Sequence, residues 1–256
     1  MTTSLFPTSS SCKGSEAVLF DKDGTLIDIH HYWALMIRMR AALLVERWPC
    51  ITDTDDFLIQ QLVDAMGVDL ETNRIKPEGP VGVRSRQVIV EVATSILRNQ
   101  TGQVTNAEVE AIFLNVDKIT AQNPGSLFKV LPGVEDFLIA LVEEGVVLGV
   151  VTTDITTRAD LALKTLGLDR FFSAVVGADQ VLASKPAPDL ALTAIEMLDA
   201  KPKSTVVIGD HPVDVKMGHA AGCAQAIAVL TGLAERFHFA DLDCTVVTDM
   251  TNLSVR

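Results

Sequence analysis

Residues 17–26 read AVLFDKDGTL, and this stretch decides the fold that the rest of the chain can adopt. The uninterrupted apolar run from Ala17 to Phe20 predicts a strand that is buried on both faces. The run ends abruptly at Asp21 and Asp23, and Gly24 follows as a turn residue. Two carboxylates this close together repel each other unless a cation lies between them or one of them keeps its proton. The stretch therefore predicts a reactive site at the end of a buried strand.

The composition indicates which class of protein this is and which partners are disfavoured on electrostatic grounds. A chain of 256 residues with 48% hydrophobic and 21% charged residues is typical of globular proteins with one large or two modest domains. The net charge of −12 argues against a nucleic-acid partner and against an anionic membrane surface. A small anionic substrate stays compatible with this charge, because a bound metal ion can reverse the local field.

The cysteines and the apolar runs indicate where the protein is located. No CxxC pair or zinc-like spacing occurs among the four cysteines, Cys12, Cys50, Cys223 and Cys244. Reduced thiols and a cytoplasmic location are therefore expected. The longest apolar run, Val146 to Val151, is too short to span a membrane. Residues 1–15 are rich in Ser and Thr and are expected to form a disordered tail.

Strand-like and helix-like segments alternate in the second half of the chain, which predicts an α/β domain with a mostly parallel sheet. After Ala17 to Phe20, the predicted strands are Val146 to Val151, Ala174 to Val176, Thr205 to Ile208, Ala226 to Val229 and Thr245 to Val247. Between His30 and about Lys129 the pattern is helical only, and Thr105 and Glu108 form a capping-box sequence. About 100 helical residues are thus predicted to be inserted after the first strand.

Polar residues stand where the predicted strands end. The second strand runs into Thr152, Thr153 and Asp154. The strand Val206 to Ile208 is followed by Asp210, with Asp214 four residues later. Since parallel strands place ligands at their carboxyl ends, these side chains are expected to lie near Asp21 and Asp23.

In these residues the chain resembles the haloacid dehalogenase superfamily of phosphotransferases. The family patterns are matched in order by DKDGT at residues 21–25, by Thr152, by Lys185 in KPAP at residues 185–188, and by GDHPVD at residues 209–214. From Leu131 to Gly222 the chain is most similar to phosphoglycolate-phosphatase-type members.

The resemblance implies a Rossmann-like core of three α/β/α layers with an inserted all-helical cap domain. The expected core comprises residues 16–29 and 130–256, and the expected cap comprises residues 30–129. In the family, such a cap closes over the site and selects the leaving group.

The resemblance also implies a role for each matching residue. Asp21 would attack phosphorus and form an aspartyl phosphate, and Asp23 would serve as general acid and then as general base. Thr152 would hydrogen-bond a phosphoryl oxygen, and Lys185 would offset negative charge. Mg²⁺ is the implied cofactor, and its ligands would come from Asp21, the Asp23 backbone carbonyl and Asp210, with Asp214 holding a metal-bound water.

The residues near the substrate leave more alternatives open. Thr153 and Arg84 are candidate substrate contacts, although Arg84 also fits a surface position, as do Arg86 and Lys76. Lys22 stands where the family commonly has an apolar residue. Two roles are open for it: packing or charge balance with Asp28, and binding of an anionic substrate tail.

Three histidines lie within or close in sequence to the matching motifs. His30 and His31 are expected to be solvated linker residues. His211 could cap a helix locally or bond near the metal carboxylates.

The predicted function is a Mg²⁺-dependent phosphatase acting on a small phosphorylated metabolite, either phosphoglycolate-like or a sugar phosphate. Two alternatives stay open: a phosphomutase of the β-phosphoglucomutase type, and a catalytically idle binding module on the same fold. Dehalogenation is disfavoured, because dehalogenases lack the second aspartate that is present here as Asp23. The identity of the substrate and the choice between a monomer and a homodimer are left open.

Overall fold

The computed structural model describes residues 3–4, 17–49, 55–81, 84–122 and 124–255. Its strands are β1 (Thr3–Ser4), β2 (Ala17–Phe20), β3 (Val147–Val151), β4 (Ala174–Val176), β5 (Thr205–Gly209), β6 (Gln225–Val229), β7 (Thr245–Val247) and β8 (Leu253–Ser254). Its α-helices are α1 (Ile29–Arg47), α2 (Asp55–Ala65), α3 (Arg86–Thr101), α4 (Asn106–Gln122), α5 (Val134–Glu143), α6 (Thr156–Leu166), α7 (Asp189–Met197) and α8 (Pro212–Ala220).

The chain divides into two compact units. The core unit comprises Met1–Asp28 and Phe128–Arg256, and the helical unit comprises Ile29–Leu127. These boundaries differ by one or two residues from those expected for the insert.

The core unit contains the expected parallel sheet. Six strands among the described residues form it in the order β4-β3-β2-β5-β6-β7, and every neighbouring pair is parallel. The chain builds outward from β2 through β3 to β4, and then returns to the other side of β2 with β5. The carboxyl ends of β2 and β5 therefore flank the point where the strand order reverses, which is where open α/β sheets bind ligands.

Strand β2 is apolar without interruption because both of its faces are covered. Val18 and Phe20 lie in one hydrophobic cluster, Ala17 and Leu19 lie in another, and all four side chains are fully buried. The Phe20 ring meets the edges of Phe137 and Phe172 at centroid distances of 6.4 and 6.0 Å. Strand β2 is thus fully enclosed within the core unit.

The expected disordered tail is wrong at two residues. Thr3–Ser4 forms a parallel pair with Leu253–Ser254. The rest of that segment, residues 1–2 and 5–15, lies outside the described residues.

The helical unit contains α1 to α4 and has its own apolar interior, which includes Leu44, Leu62, Leu97 and Phe113. The capping box predicted ahead of α4 is confirmed. The Thr105 backbone N–H donates to Glu108 at 2.9 Å, and the Glu108 N–H donates to the Thr105 hydroxyl at 3.3 Å.

Replacing Phe20 tests the importance of the buried sheet centre. Phe20→Ala should lower the free energy of unfolding by about 3–5 kcal/mol, because the vacated space is enclosed by rings and strands that relax only partly. The matched control is Phe237→Ala in the same unit, where the ring is 65% exposed and the expected change is below about 0.5 kcal/mol. Urea unfolding followed by circular dichroism measures the free energy of unfolding of both variants. Equal decreases would contradict the importance of Phe20 for the packing of the sheet centre.

Candidate active site

The first loop of the site leaves β2 at Asp21 and turns back on itself. The Asp21 N–H donates to the carbonyl of Ile208 at 2.9 Å, so the ladder with β5 continues one residue beyond the strand. The carbonyl of Lys22 then accepts the N–H groups of Leu26 and Ile27 at 2.9 and 3.0 Å. Gly24 closes this turn at φ +89°, a left-handed conformation that favours glycine.

Lys185 joins two of the predicted carboxylates. Its Nζ lies 2.5 Å from Oδ1 of Asp21 and 2.7 Å from Oδ1 of Asp214, and only 1% of its side chain is exposed. Burial alone would lower the pKa of Lys185, but Asp21 and Asp214 outweigh it and raise the pKa above its usual value. The lysine is therefore a fixed positive charge between the ends of β2 and β5.

Asp214 has a second role at the start of α8. Its Oδ2 accepts the backbone N–H of His211 at 3.0 Å, while Nδ1 of His211 accepts the N–H of Val213 at 3.3 Å. Local capping, one of the two roles left open for His211, is thus observed. The contacts to Lys185 and to the helix start fix the Asp214 carboxylate from both sides.

Asp210 is held between two glycine backbones. A Cβ atom built on Gly24 would lie 2.5 Å from its Oδ2, and one built on Gly232 would overlap the same atom. The backbone N–H of Leu233 bonds the carboxylate, and the hydroxyl of Thr231 donates to the carbonyl of Gly24. The loop after β6 therefore shapes the site, although no motif in its sequence indicates this role.

Burial and like charge act on the carboxylates in the same direction. Burial, followed by the charges of Asp21 and Asp214, raises the pKa of Asp210 well above its usual value. Burial also raises the pKa of Asp21, against the opposing charge of Lys185. Ionisation of both groups is therefore unfavourable, and a cation beside them would lower its free-energy cost.

Thr152 lies at the end of β3, the other neighbour of β2. Its side chain is buried, its N–H donates to the carbonyl of Val176 at 3.0 Å, and its hydroxyl accepts the N–H of Asp154 at 3.1 Å. A hydroxyl that accepts one bond can still donate another. Thr153 is exposed, and its substrate contact stays a prediction.

Lys22 is paired within the core unit. Its Nζ lies 2.7 and 2.6 Å from the two carboxylate oxygens of Asp23, and 3.5 Å from Oδ2 of Asp154. Asp28 lies 3.9 Å from Nζ of Lys129, and charge balance between Lys22 and Asp28 stays a prediction. The proposed contact of Lys22 with a substrate tail stays a prediction.

The pKa values of Lys22 and Asp23 both lie above their usual values. Burial would lower the pKa of Lys22, but the carboxylates of Asp23, Asp154 and Asp21 outweigh it. Burial raises the pKa of Asp23 against the charge of Lys22, although 37% of the Asp23 side chain remains exposed. The pair therefore combines a buried ammonium with a carboxylate that still reaches the surface.

Within the helical unit the predicted residues have different surroundings. Arg84 is exposed, just before α3, and its substrate contact stays a prediction. Arg86 forms ion pairs with Glu110 at 2.6 Å and Asp117 at 2.5 Å, and Lys76 pairs with Asp64 at 2.6 Å.

The expectation of a solvated His30 is wrong. Only 5% of this residue is exposed, and its Nδ1 accepts the N–H of Ile75 at 3.1 Å. His31 is partly buried, with Nε2 3.0 Å from the carbonyl of Ser126.

The cysteines and the helices relate to the expectations of reduced thiols and of apolar runs too short to span a membrane. Cys223 and Cys244 are free thiols, and burial raises the pKa of Cys223 to about 11. Cys12 and Cys50 lie outside the described residues. In the described ranges, no helix has the length and apolar character that crossing a bilayer requires.

Side chains supply only some of the oxygen ligands that a hard cation such as Mg²⁺ needs. Asp21 and Asp210 supply carboxylates at neighbouring strand ends, and their raised pKa values favour a cation beside them. The described part of the chain contains no group of three or more His, Cys, Asp or Glu side chains able to hold a metal ion. Backbone, water and substrate oxygens would therefore complete the coordination, as is usual for Mg²⁺.

Asp210→Asn tests whether the ionised Asp210 carboxylate destabilises the folded protein. A carboxyl with a raised pKa in the folded protein stabilises the fold at low pH, and this contribution is lost as the pH rises through the raised value. At pH 7 in EDTA, Asp210→Asn should therefore raise the free energy of unfolding, by on the order of 1–3 kcal/mol. The gain should shrink toward pH 4, where the wild-type carboxyl is protonated.

Urea unfolding at both pH values measures this effect. Asp169→Asn, at an exposed position of the same unit, is the control and should change little. An Asp210→Asn protein less stable than the wild type at pH 7 in EDTA would contradict the assignment.

Comparisons with known proteins identify the family to which the chain belongs. The family model for haloacid dehalogenase-like hydrolases matches residues 16–222. A phosphoglycolate phosphatase from Haemophilus influenzae is 31% identical over 138 residues, which are 54% of this chain and 62% of that protein. Pyrophosphatase PpaX from Bacillus mycoides is 40% identical over 82 residues, or 32% of this chain and 38% of that protein. The chain thus spans less than two thirds of the length of these relatives.

Solved structures show the same fold over nearly the whole chain. A hydrolase of the superfamily from Geobacter sulfurreducens PCA has a TM-score of 0.62 at 20% identity, covering 94% of this chain and 96% of that one. A β-phosphoglucomutase from Clostridium difficile has a TM-score of 0.54 at 18% identity, covering 94% and 93%. At these identities the likeness establishes the fold alone. Since the family model covers most of the sequence, the chain belongs to the haloacid dehalogenase-like hydrolase family.

Proposed function

We propose that this protein is a Mg²⁺-dependent phosphatase that hydrolyses a small phosphorylated metabolite through an aspartyl phosphate on Asp21. The observation that carries the proposal is the ion pair between Lys185 and Asp21, at the point where the strand order of the sheet reverses. A fixed cation at a buried carboxylate suits a reaction that brings a phosphate dianion to an anionic nucleophile.

The first step transfers the phosphoryl group to the protein. A carboxylate oxygen of Asp21 forms a bond to phosphorus while the bond from phosphorus to the leaving oxygen breaks. Asp23 gives its proton to that oxygen, so that an alcohol leaves, and the raised pKa of Asp23 favours this acid role. Lys185 and the Thr152 hydroxyl offset charge on the phosphoryl oxygens.

The second step returns Asp21 to its free form. Asp23, now a carboxylate, takes a proton from a water molecule whose oxygen attacks phosphorus, and the bond between phosphorus and Asp21 breaks to release inorganic phosphate. Bound Mg²⁺, held by Asp21, Asp210 and the Asp23 carbonyl, would neutralise further charge on the phosphoryl group. Asp214 keeps Lys185 in place through the contact at 2.7 Å.

The first substrates to test follow from the relatives. Phosphoglycolate and inorganic pyrophosphate come first, because one relative is a phosphoglycolate phosphatase and another a pyrophosphatase. Sugar phosphates complete the panel. With a hexose 1-phosphate, appearance of the 6-phosphate without free phosphate would replace the proposal with a phosphomutase.

Asp21→Asn should lower kcat by at least about 1000-fold, because the amide is too weak a nucleophile to replace the carboxylate. The control Asp169→Asn should retain wild-type turnover. Phosphate release and trapping of the acid-stable phosphoprotein measure the two steps. Turnover by Asp21→Asn within about tenfold of the wild type would overturn the nucleophile assignment.

Metal removal provides an independent test. Dialysis against EDTA should abolish phosphate release, and Mg²⁺ should restore it. In thermal melts, Mg²⁺ with beryllofluoride should raise the Tm of the wild type, because ligands that bind only the folded state stabilise it. Absence of both the activity and the Tm shift in the wild type would favour an idle binding module.

A further inference from the structure

Lys22 and Asp23 form an ion pair in which the ammonium is buried and the carboxylate is partly exposed. Only 4% of the Lys22 side chain is exposed, whereas 37% of the Asp23 side chain is. The single ammonium group contacts both carboxylate oxygens, at 2.7 and 2.6 Å. The carboxylate is therefore held from its buried side and open on the other.

Asp154 links this pair to the loop after β3. Its Oδ2 lies 3.5 Å from Nζ of Lys22. Its Oδ1 is occupied by Nε of Arg158 at 2.7 Å and by the N–H of Ile155 at 2.8 Å, and its own N–H bonds Thr152 at 3.1 Å. The ammonium of Lys22 thus has a fixed second anchor on the loop that carries Thr152.

An apolar residue could fill the buried position of Lys22 but could not fix a carboxylate. Asp23 has two rotatable side-chain bonds and lies partly in solvent, so without a partner its carboxylate would sample several orientations. Proton transfer to a leaving oxygen requires a heavy-atom approach of about 2.6–3.2 Å, which only some of these orientations allow. A charged partner with two anchors restricts the Asp23 side chain to fewer orientations, so a larger fraction of them allows proton transfer.

We propose that Lys22 is a positioning residue for Asp23, and that its ammonium, anchored on Asp154, holds the Asp23 carboxyl group toward the leaving oxygen. This inference rests on the proposed phosphatase function. It differs from a direct contact between Lys22 and a substrate tail, because the ammonium is buried and shared between two carboxylates of the chain.

The test uses two substrates that differ in their need for an acid. An alkyl phosphate such as glycerol 3-phosphate has a leaving oxygen that must be protonated, whereas 2,4-dinitrophenyl phosphate releases a stable anion. Because kcat/KM reports the steps up to phosphoryl transfer, Lys22→Met should lower it about 10- to 100-fold for the alkyl ester. For the dinitrophenyl ester the loss should stay below about threefold.

Three further measurements separate positioning from other roles. Lys22→Arg should recover part of the lost rate, since it restores a cation. Asp154→Asn should show the same selective loss as Lys22→Met, but a smaller one. The Tm shift produced by Mg²⁺ with beryllofluoride should match the wild type in Lys22→Met, because Asp21 and Lys185 are untouched.

Other outcomes overturn the inference. Equal losses on both esters with a reduced Tm shift would mean that Lys22 only supports the loop. A raised KM with unchanged kcat would mean that Lys22 contacts the substrate, and unchanged kinetics would exclude any role. If the wild type hydrolyses neither ester nor any member of the metabolite panel, the proposed function falls and this inference falls with it.

Discussion

The site depends on one electrostatic constraint: several carboxylates meet at the end of a buried strand, and their mutual repulsion must be balanced. Lys185 provides this balance by contacting Asp21 and Asp214 together. Without that ammonium, two buried anions would face each other across the ends of β2 and β5, at a cost of several kcal/mol. A buried cation of this kind stabilises the loops and also prepares the site for an anionic ligand.

The same compensation recurs with different partners around β2. Lys22 balances Asp23 and Asp154 on one side of the first loop. Asp210 is balanced only in part, by the charge of Lys185 and by hydrogen bonds from the Leu233 backbone and Thr25. A cation beside Asp210 would offset the negative charge that remains uncompensated. Burial, charge and hydrogen bonding thus assign different roles to residues of the same type.

Much of the fold could be predicted from the sequence, because a parallel sheet imposes simple patterns. The unbroken apolar run of β2 predicted a buried sheet strand, and the polar residues after β3 and β5 predicted the edge of the sheet that carries the candidate site. The pairing of Lys22 with Asp154 could not be predicted, since Asp154 is 132 positions away along the chain and a lysine side chain can turn in many directions. The burial of His30 was missed for a similar reason: its partner Ile75 lies on a distant loop of the helical unit. The role of the loop after β6 depends on the close approach of Gly232 to Asp210, which no local pattern records.

The two chain segments that join the core unit to the helical unit run side by side. Ile27 and Val130 form an antiparallel bridge, and the N–H of Asp28 donates to the carbonyl of Lys129 at 2.8 Å. The insert of about 100 residues thus leaves and re-enters the core at a single point, so its length costs the sheet little conformational entropy. Because Ile27 and Val130 are bridged, a change in the length of the helical unit would leave the register of the strands and the ends of β2 and β5 unaltered.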